Sequence, residues 1–454
     1  METSFVIAKF GGTSVADYSA MVNSANIVIA NPNVKVVVLS ASAGVTNLLV
    51  ALAEGRDAEV RTQHIAKIQS IQYGILEQLP ENPKLRSEID QIIANIASLS
   101  EAASLATSPA LTDELVSHGE IMSSKLFVEI LKEKQTNAMW FDVRKVMRTD
   151  DKFGKATPKI EDIKQLCCAH LKSLNNSSVI VTQGFIGSES SGKTTTLGRG
   201  GSDYTAALLG EALNASQIDI WTDVAGIYTN DPRITPAAKR IDEISFAEAT
   251  EMATFGAKVL HPATLVPAVR SNIPVFVGSS KAPQEGGTIV YNTNSITSKL
   301  PVFRALALRR KQTLLTLTSL NMLHAQGFLA NVFTILAKHN ISVDLVTTSE
   351  VSIALTIDTT GTNTNGSSLL TKELFDELST VCHVTVEEDL ALIAIIGNNL
   401  TTTQGIAKEV FGVLDDFIIR LCCYGASTHN LCLLAKSNDA EAIIKILHKT
   451  IFEQ

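Results

Sequence analysis

The sequence has few of the features that mark membrane, nucleic-acid-binding or zinc proteins. No apolar stretch approaches the roughly 18 residues of a membrane-spanning helix, and residues 1–10 lack the pattern of a signal peptide. No run of lysine and arginine stands out, and the net charge of −8 disfavours nucleic acid as a partner. The six cysteines form no Cys-x-x-Cys pair and no zinc-spaced cluster with histidine. We therefore expect a soluble protein of the reducing cytoplasm with no protein-held metal.

The composition indicates several folded domains. Apolar residues make up 45% and charged residues 19% of the 454 residues, so the chain can bury a sizeable core. At about 150 residues per domain, this length predicts two to four domains. The first two-thirds alternate short β-branched runs with longer helical patterns, which is typical of an α/β fold with a mainly parallel sheet. The clearest predicted strands are Phe5–Ala8, Val34–Leu39, Val179–Gln183, Ile218–Trp221 and Pro274–Val277.

A turn of small or polar residues follows each predicted strand. Examples are Gly11–Ser14 after the first strand and Ser40–Gly44 after the second. In open α/β sheets, ligands bind beyond the carboxyl ends of the strands. The pattern therefore predicts that these turns lie near one another and form a binding site at one edge of the sheet.

The last third of the chain contains an internal repeat. The α/β pattern breaks between Ala282 and Pro301, where proline, glycine and polar residues predict a linker. Beyond it, Gly327–Leu355 matches Gly405–Leu433 at a constant offset of 78 with seven identical positions. Each copy has the pattern of a strand, a glycine-started amphipathic helix and two further strands. Two copies are too few for a solenoid, so we predict a pair of small βαβ modules.

The segment Gly187–Thr194 satisfies the P-loop pattern G-x-x-x-x-G-K-[ST] and follows a predicted strand. A true P-loop needs a helix that starts at the lysine, so that the first N–H groups face the phosphates. Three glycines between residues 198 and 201 make a poor helix start, and a better one lies near Ser202. We therefore interpret the segment as a polar hairpin tip with a solvated Lys193.

Four other segments place groups suited to phosphate chemistry at the ends of predicted elements. The first joins a lysine to a double-glycine turn whose backbone can approach phosphate oxygens closely. The second combines a flexible loop, an arginine and an aspartate that could also be an ordinary helix cap. The third offers polar, aromatic and cationic groups for a nucleotide. The fourth carries a lysine in an apolar stretch, where an unpaired lysine is unusual, and His261, which we interpret as a packed or capping residue. These segments are Lys9–Ser14, Leu197–Asp203, Trp221–Arg233 and Phe255–Pro262.

These motifs resemble those of the amino acid kinase family and, within it, the aspartokinases, closest to the lysine-sensitive, single-function type. The matching runs are Lys9–Val15, Ser40–Leu49, Ser117–Glu120, Gly198–Asp203 and Thr222–Tyr228, and the resemblance spans essentially the whole chain. It implies a three-layer α/β/α kinase domain over residues 1–296 with a mainly parallel sheet, followed by a linker over 297–311. It also implies two ferredoxin-like βαββαβ ACT domains over 312–388 and 389–454, with the C-terminal segment as a candidate to complete the first.

The resemblance implies transfer of the γ-phosphoryl group of ATP to the side-chain carboxylate of L-aspartate, the first step of lysine, threonine and methionine biosynthesis. The acceptor is already an anion at pH 7, so catalysis needs alignment and charge neutralisation rather than a general base. Mg²⁺ would arrive with ATP and need no protein cage. The implied catalytic residues are Lys9, Asp203 and Lys258. The implied ATP-binding residues are Lys9, Phe10, Gly11, Gly12, Thr222, Asp223, Tyr228, Arg233, Lys258 and Val259.

The resemblance also implies a site for the amino acid itself. Arg199 would pair with the α-carboxylate of aspartate and Glu120 with its ammonium group, while Ser40 and Thr46 add hydrogen bonds. From composition alone, Glu120 is better explained as a solvated helix glutamate. Only its Ser-His-Gly-Glu context favours the binding role.

By the same resemblance, the ACT pair binds L-lysine as a feedback inhibitor and forms a homodimer, with a tetramer as an option in the inhibited state. The second copy has Cys422 and Thr428 at the positions of Asp344 and Glu350, so we predict that only the first copy binds the effector. Relatives often have a hydroxyl residue at position 325. The implied effector residues are Met322, Ala325, Phe328, Leu329, Asp344, Glu350 and Val351.

Two alternatives remain open at this point. One is another amino acid kinase, such as an acetylglutamate or glutamate kinase, although these lack the tandem ACT pair together with the Ser-His-Gly-Glu segment. The other is a catalytically silent amino-acid sensor, which is disfavoured because such a protein need not keep Lys9, Arg199, Asp203 and Lys258.

Overall fold

The computed structural model of the chain describes residues 5–171, 178–256, 260, 262–292, 301–322, 326–358 and 370–453. The chain forms two compact units. The first unit consists of Met1–Ile227, Arg240–Phe246 and Val259–Ile296, and the second of Tyr228–Lys239, Ala247–Lys258 and Thr297–Gln454. Two short segments from the predicted kinase domain therefore belong to the second unit.

The strands and helices alternate along the first unit and form a repeated pattern in the second. The strands are β1 (Val6–Phe10), β2 (Val34–Leu39), β3 (Ala138–Trp140), β4 (Val179–Gln183), β5 (Ile186–Ser188), β6 (Thr194–Thr196), β7 (Gln217–Thr222), β8 (Ile227–Tyr228), β9 (Arg240–Ile241), β10 (Glu243–Ser245), β11 (Val275–Ser279), β12 (Gly287–Tyr291), β13 (Phe303–Thr318), β14 (Leu345–Thr348), β15 (Ser352–Asp358), β16 (His383–Gly397), β17 (Ile419–Tyr424) and β18 (Asn430–Lys436). The helices are α1 (Tyr18–Ala30), α2 (Val45–Ala53), α3 (Ala58–Leu76), α4 (Pro83–Leu105), α5 (Pro109–Glu133), α6 (Ile160–His170), α7 (Gly201–Leu213), α8 (Phe246–Thr254), α9 (Pro262–Ser271), α10 (Phe328–Lys338), α11 (Lys372–Ser379), α12 (Ile406–Phe411) and α13 (Ala440–Phe452). Among the described residues, we find no helix with the length and apolar character needed to cross a membrane.

The first unit is built on an eight-stranded sheet in the order β10-β12-β11-β7-β1-β2-β4-β3. Every pairing in it is parallel except that of β11 with β12. Its central strands are buried, as expected for a parallel sheet with helices on both faces. The predicted α/β class with a mainly parallel sheet is confirmed.

Helices cover both faces of this sheet. On one face, the Phe10 ring of β1 lies 6.1 Å from that of Phe127 of α5, and Trp221 of β7 stacks on Phe10 at 6.3 Å. Ile218 lies three residues before Trp221 and points to the opposite face, where a Cβ at Gly210 of α7 would come within 2.8 Å of it. The first unit therefore has three layers, helix on sheet on helix.

All five predicted strands are present: Val34–Leu39 and Val179–Gln183 have the predicted bounds, and the other three are shifted by one or two residues at their ends. The predicted linker between Ala282 and Pro301 is wrong in part. Gly287–Tyr291 forms β12, which pairs with β11. A Cβ at Gly287 would lie only 2.1 Å from the carbonyl oxygen of Val277, so glycine permits this close pairing. The same glycine, next to Gly286 and Pro283, produced the linker prediction.

The second unit is built on a six-stranded antiparallel sheet in the order β14-β15-β13-β16-β18-β17. Its two longest strands, β13 and β16, pair with each other on both sides of an interruption. Each has one residue with positive φ at this point, Lys311 and Asp389, both at 59°. The interruption divides the sheet into two modules that share these strands.

Both modules have the βαββαβ plan that the resemblance implies. The first module uses the second half of β13, then α10, β14, β15, α11 and the first half of β16. The second uses the other half of β16, then α12, β17, β18 and α13, and the first half of β13 supplies its fourth strand. Val332, Leu336 and Leu374 are in the core of the first module, and Leu306 and Leu447 in that of the second.

This arrangement corrects two details of the predicted organisation. The predicted linker 297–311 overlaps β13 from Phe303 onward. Its run of alternating alanine and leucine carries little strand signal, because alanine is depleted in strands. The C-terminal helix α13 packs in the second module rather than completing the first, and the module completed from elsewhere in the chain is the second.

Candidate active site

The turns after β1, β2 and β7 meet at one edge of the sheet in the first unit. The backbone N–H of Gly11 donates to the carbonyl oxygen of Trp221 at 3.0 Å, and that of Ser40 donates to the carbonyl oxygen of Phe10 at 3.2 Å. The expected convergence of these turns is therefore present.

A buried ion pair lies at this edge. Lys9, at the end of β1, is 7% exposed, and its Nζ lies 2.5 Å from Oδ1 of Asp203. Asp203 is in the first turn of α7, whose N-cap residue Gly200 has φ 73°. A Cβ at Gly11 would lie 3.6 Å from Lys9 Nζ, so the cation sits against the double-glycine turn. The pair compensates the desolvation cost that an unpaired buried lysine would carry.

The second glycine of the turn permits a close backbone approach. A Cβ at Gly12 would lie 2.9 Å from the carbonyl oxygen of Ala41, and the N–H of Ala43 donates to the carbonyl oxygen of Gly12 at 3.1 Å. The turns after β1 and β2 are thereby held together. Any other residue at position 12 would have to push them apart.

Helix α5 brings Glu120 to the turn after β2. A Cβ at Gly119 would lie 2.7 Å from Cβ of Ala41, so glycine allows the helix to pack directly on this turn. The hydroxyl of Ser123 donates to the carbonyl oxygen of Ser40 at 2.8 Å. Glu120 is 3% exposed. The interpretation of Glu120 as a solvated helix glutamate is therefore wrong.

Glu120 is a buried carboxyl group that forms no ion pair with any of the residues the structure describes. Burial raises its pKa to about 8, although the backbone N–H of Ala41 favours the ionised form. Oε2 of Glu120 has no hydrogen-bond partner among the residues that the structure describes. Buried polar groups are almost always paired, so this oxygen is a candidate for binding a ligand that donates hydrogen bonds.

The other predicted substrate residues surround this edge on loops and helix ends. Arg199 is exposed between two glycines with positive φ, Gly198 at 75° and Gly200 at 73°. Thr46 is half-buried in the first turn of α2.

Asp113 anchors the arginine loop and was missed by sequence reasoning. Its carboxylate accepts the backbone N–H groups of Gly154 and Thr196, each at 2.8 Å. Residue 196 is the last of β6, which leads into Gly198 and Arg199. No local pattern marks an aspartate inside a helix as a loop anchor, so no sequence signal was available.

The predicted nucleotide residues are split between the two units. Thr222 and Asp223 follow β7 in the first unit, whereas Tyr228 and Arg233 lie in the segment that belongs to the second unit. The side chain of Phe10 is fully buried, so only its backbone can face a ligand. Lys258 and Val259, and also His261, lie outside the described residues.

The P-loop look-alike is a hairpin, as predicted. β5 and β6 pair in antiparallel fashion, and Glu189 at the tip accepts the backbone N–H groups of Ser191 at 2.7 Å and Lys193 at 2.8 Å. Lys193 is exposed, and the next helix begins at Gly201 rather than at the lysine.

The predicted effector residues lie in the first module of the second unit. Phe328 begins α10, behind Gly327 with φ 84°, and is buried in the module core, where Met322 also packs. Leu329 and Glu350 are exposed, and Val351, which follows Glu350, is half-buried. Ala325 lies outside the described residues.

Asp344 has a partner that the sequence did not suggest. Its Oδ1 lies 3.1 Å from Nη1 of Arg309, which is at the end of the first half of β13. At the equivalent positions the second module carries Cys422 and Thr428, which bear no carboxylate, and burial raises the pKa of the Cys422 thiol. The carboxylates of Asp344 and Glu350 therefore have no counterparts at the equivalent positions of the second module.

Comparisons with known proteins agree with this arrangement. The amino acid kinase family model matches residues 4–279, and an ACT domain model matches residues 315–364 and 393–451. The chain is 64% identical over 448 residues to lysine-sensitive aspartokinase 3 of Escherichia coli, covering 99% of both chains. It is 34% identical to chloroplastic aspartokinase 3 of Arabidopsis thaliana, over 98% of this chain and 81% of that protein.

Solved structures give the same relationship. The crystal structure of E. coli aspartokinase III in complex with aspartate and ADP (R-state) matches with a TM-score of 0.92, covering 99% of this chain and 100% of that one. The complex of the same enzyme with lysine and aspartate (T-state) matches with a TM-score of 0.83, covering 99% of each chain. Both are 64% identical to this chain. The chain therefore belongs to the amino acid kinase family and, within it, to the aspartokinases.

Proposed function

We propose that this protein is an aspartate kinase that transfers the γ-phosphoryl group of ATP to the side-chain carboxylate of L-aspartate, giving 4-phospho-L-aspartate, and that L-lysine inhibits it. The observation that carries the proposal is the buried pair of Lys9 and Asp203 against the double-glycine turn. The pair holds a cation where backbone N–H groups can also face a phosphoryl group. The 64% identity to an aspartokinase over the whole chain supports the choice of reaction.

The reaction requires the protein mainly to align the two substrates and to neutralise negative charge on the transferring phosphoryl group. The aspartate side chain is already ionised at neutral pH and attacks without a general base. Lys9 neutralises charge on the transferring group, Asp203 holds Lys9 in place, and Gly12 presents its backbone N–H, since that of Gly11 already donates to the Trp221 carbonyl oxygen. By family, Lys258 supplies a second cation.

Two groups select aspartate among anions. Arg199 is exposed on the loop between Gly198 and Gly200 and can form a two-point pair with the α-carboxylate. Glu120, with its free oxygen, takes the α-ammonium group. Ser40 and Thr46 lie in the turn after β2 and at the start of α2, where they add hydrogen bonds to the same substrate.

In this proposal, the nucleotide binds at the other residues that the family resemblance implies. Thr222, Asp223, Tyr228 and Arg233, together with Val259, contact ATP. Among the described residues, no three histidine, cysteine or acidic side chains form a metal cluster, and Asp203 is engaged by Lys9. This donor set fits Mg²⁺ that is bound mainly by ATP and water. Such an ion would neutralise charge on the phosphate oxygens.

Regulation by lysine uses the first module. Asp344 and Glu350 are carboxylates that can meet the two ammonium groups of lysine, and the α10 start offers backbone N–H groups to its carboxylate. Inhibition follows if lysine binds a less active state more tightly, typically with about 1–3 kcal/mol of coupling. Assembly as a homodimer through the ACT modules belongs to the same proposal.

An ATP-dependent aspartyl hydroxamate assay tests the function directly, because hydroxylamine traps an acyl phosphate. We expect signal with L-aspartate but not with L-glutamate or N-acetylglutamate, and loss of signal on adding lysine. Signal with a different acceptor would favour another amino acid kinase. Loss with threonine instead of lysine would keep the kinase and refute the effector. No signal from the folded protein would favour a silent amino-acid sensor.

A further inference from the structure

The segment Tyr228–Lys239, which carries the predicted nucleotide residues Tyr228 and Arg233, is hydrogen-bonded to the second module. No role has yet been assigned to that module. The backbone N–H of Leu306 in β13 donates to the carbonyl oxygen of Thr229 at 2.7 Å. The side-chain amide of Asn230 donates to the carbonyl oxygen of Leu306 at 3.0 Å. One residue of the shared strand therefore fixes two consecutive residues at the start of the segment.

A fully buried histidine of α13 also contacts Thr229. His448 of α13 is 0% exposed, and its Nε2 lies 3.0 Å from Oγ1 of Thr229. Its Nδ1 lies 2.8 Å from Oε1 of Glu453, and its ring centroid lies 5.0 Å from that of Phe452. An imidazole in an apolar core is costly unless its nitrogens are paired, and here both have partners.

The donors and acceptors around His448 form one consistent chain. The backbone N–H of Lys239 donates to Oγ1 of Thr229 at 3.0 Å. The Thr229 hydroxyl can then donate to Nε2 of His448, and Nδ1–H can donate to the Glu453 carboxylate. The backbone N–H of Thr229 also donates to the carbonyl oxygen of Lys239 at 2.9 Å. Thr229 thus joins the start of the segment to its end at Lys239 and connects both to His448.

We propose that His448 is a positioning residue for ATP binding, acting through Thr229 on the segment that carries Tyr228 and Arg233. This rests on the proposed function, in which both residues contact the nucleotide. Tyr228 directly precedes Thr229. If Thr229 loses its hydrogen bonds, the position of the Tyr228 ring is therefore no longer fixed. Arg233 lies in the loop between Thr229 and Lys239, whose ends these two residues hold together. The second module, which has Cys422 and Thr428 in place of the two effector carboxylates, thus supports the segment that carries Tyr228 and Arg233.

Kinetics of paired substitutions test the proposal. Thr229→Val keeps the shape of the side chain and removes its hydroxyl, and His448→Leu removes both ring nitrogens. We expect each to raise the KM for ATP about tenfold, as loss of one buried hydrogen bond allows. The KM for aspartate should stay within about twofold, because Glu120 and Arg199 are not touched. Direct titration with ADP should show the same weakening.

Conservative variants separate positioning from simple core packing. His448→Gln can place an acceptor where Nε2 lies and should restore most of the ATP affinity. His448→Asn is too short to reach Thr229 and should not restore the affinity. Because both variants are polar amides shorter than histidine, a difference between them reports the hydrogen bond rather than core packing. His339→Leu is the matched control, because His339 pairs with Glu377 in the first module. It should leave the KM for ATP unchanged.

The wild-type protein must first show ATP-dependent activity with aspartate; its absence would refute the proposed function and not this inference. With activity present, an unchanged KM for ATP and unchanged ADP affinity in Thr229→Val would overturn the role of His448. So would equal changes in both KM values with a lowered melting temperature and no rescue by glutamine. In a Thr229→Val, His448→Leu double variant, the effects should not multiply, because both remove the same bond.

Discussion

Glu120 in the first unit and Asp344 in the second are both proposed to bind an ammonium group, but their surroundings differ. Glu120 is buried, its pKa is about 8, and it forms no ion pair with any residue that the structure describes. Asp344 lies 3.1 Å from the guanidinium of Arg309. At neutral pH the Glu120 carboxyl therefore keeps its proton, whereas Asp344 is paired with a cation of the same chain. A substrate must displace a proton, and an effector must compete with an arginine.

The largest expected effect is the loss of aspartate recognition in Glu120→Gln. Leaving the substrate ammonium without its buried carboxylate should lower kcat/KM for aspartate by about 10²–10³, equivalent to roughly 3–4 kcal/mol. The KM for ATP should change little. Steady-state kinetics with each substrate varied in turn measure this. Glu133→Gln, on the exposed end of the same helix, is the control, and an unchanged kcat/KM in Glu120→Gln would remove Glu120 from the substrate site.

The corresponding change in the effector site is Asp344→Ala. Turnover without lysine should remain near wild type, since the residue lies in the regulatory module. The lysine concentration for half inhibition should rise by at least about tenfold, as expected for loss of one charge-assisted contact. Inhibition curves at fixed substrate concentrations measure it, with the exposed Asp376→Ala as a control on α11. If the curve does not move, Asp344 does not bind lysine.

The proton on Glu120 predicts a pH dependence that the effector site need not share. An ammonium group binds the ionised carboxylate, so the KM for aspartate should fall as the pH rises toward 8, by up to about tenfold per unit, and then level off. Calorimetric titrations in two buffers should show proton release below pH 8. In Glu120→Gln both effects should vanish; if the slope persists there, another group titrates.

The same pKa sets the sign of a pH-dependent contribution to stability. The folded pKa of Glu120 is above the ordinary value of 4.5, so the folded state holds a proton that the unfolded chain releases between about pH 4.5 and 8. The contribution of Glu120 to the free energy of unfolding therefore decreases as the pH rises through this range.

The two sites were not equally predictable from the sequence. Lys9, the double-glycine turn and the end of β2 are local patterns, and the rule for ligand sites in α/β sheets places them together. The pairing of Arg309 with Asp344 depends on an interruption at Lys311 in a strand shared by two modules. No local pattern announces it, because it forms through the sheet rather than along the chain.

The sequence also could not predict that the nucleotide residues are divided between two compact units. Thr222 and Tyr228 lie six positions apart in one motif, yet the structure assigns them to different compact units. The cause is the hydrogen bonding of Thr229 to Leu306 and His448, which lie far away in the chain. A motif identifies which residues share a role, whereas the elements that support each of them follow only from the fold.

A smaller effect is expected from the cation that occupies the effector site. Arg309→Leu removes the group with which lysine must compete, so lysine should inhibit at a concentration about fivefold lower, given the modest value of a partly exposed ion pair. Dose–response curves measure the shift. Arg310→Leu is the control, because the neighbouring Arg310 pairs with Glu441 instead. Weaker inhibition in Arg309→Leu would mean that the arginine orients Asp344 rather than competing with lysine.

The smallest effect should come from Lys193, whose motif offers another cation for the phosphates. If that motif were a P-loop, Lys193 would bind the phosphates and Lys193→Ala would abolish activity. The structure instead has Lys193 exposed at a hairpin tip closed by Glu189. We expect kcat and both KM values to stay within about twofold, as for a surface substitution. Lys155→Ala, in the loop beside Gly198, gives a comparison variant close to the site. Inactivity of Lys193→Ala alone would return the hairpin to the active site and make Lys9 one of two essential lysines among the described residues.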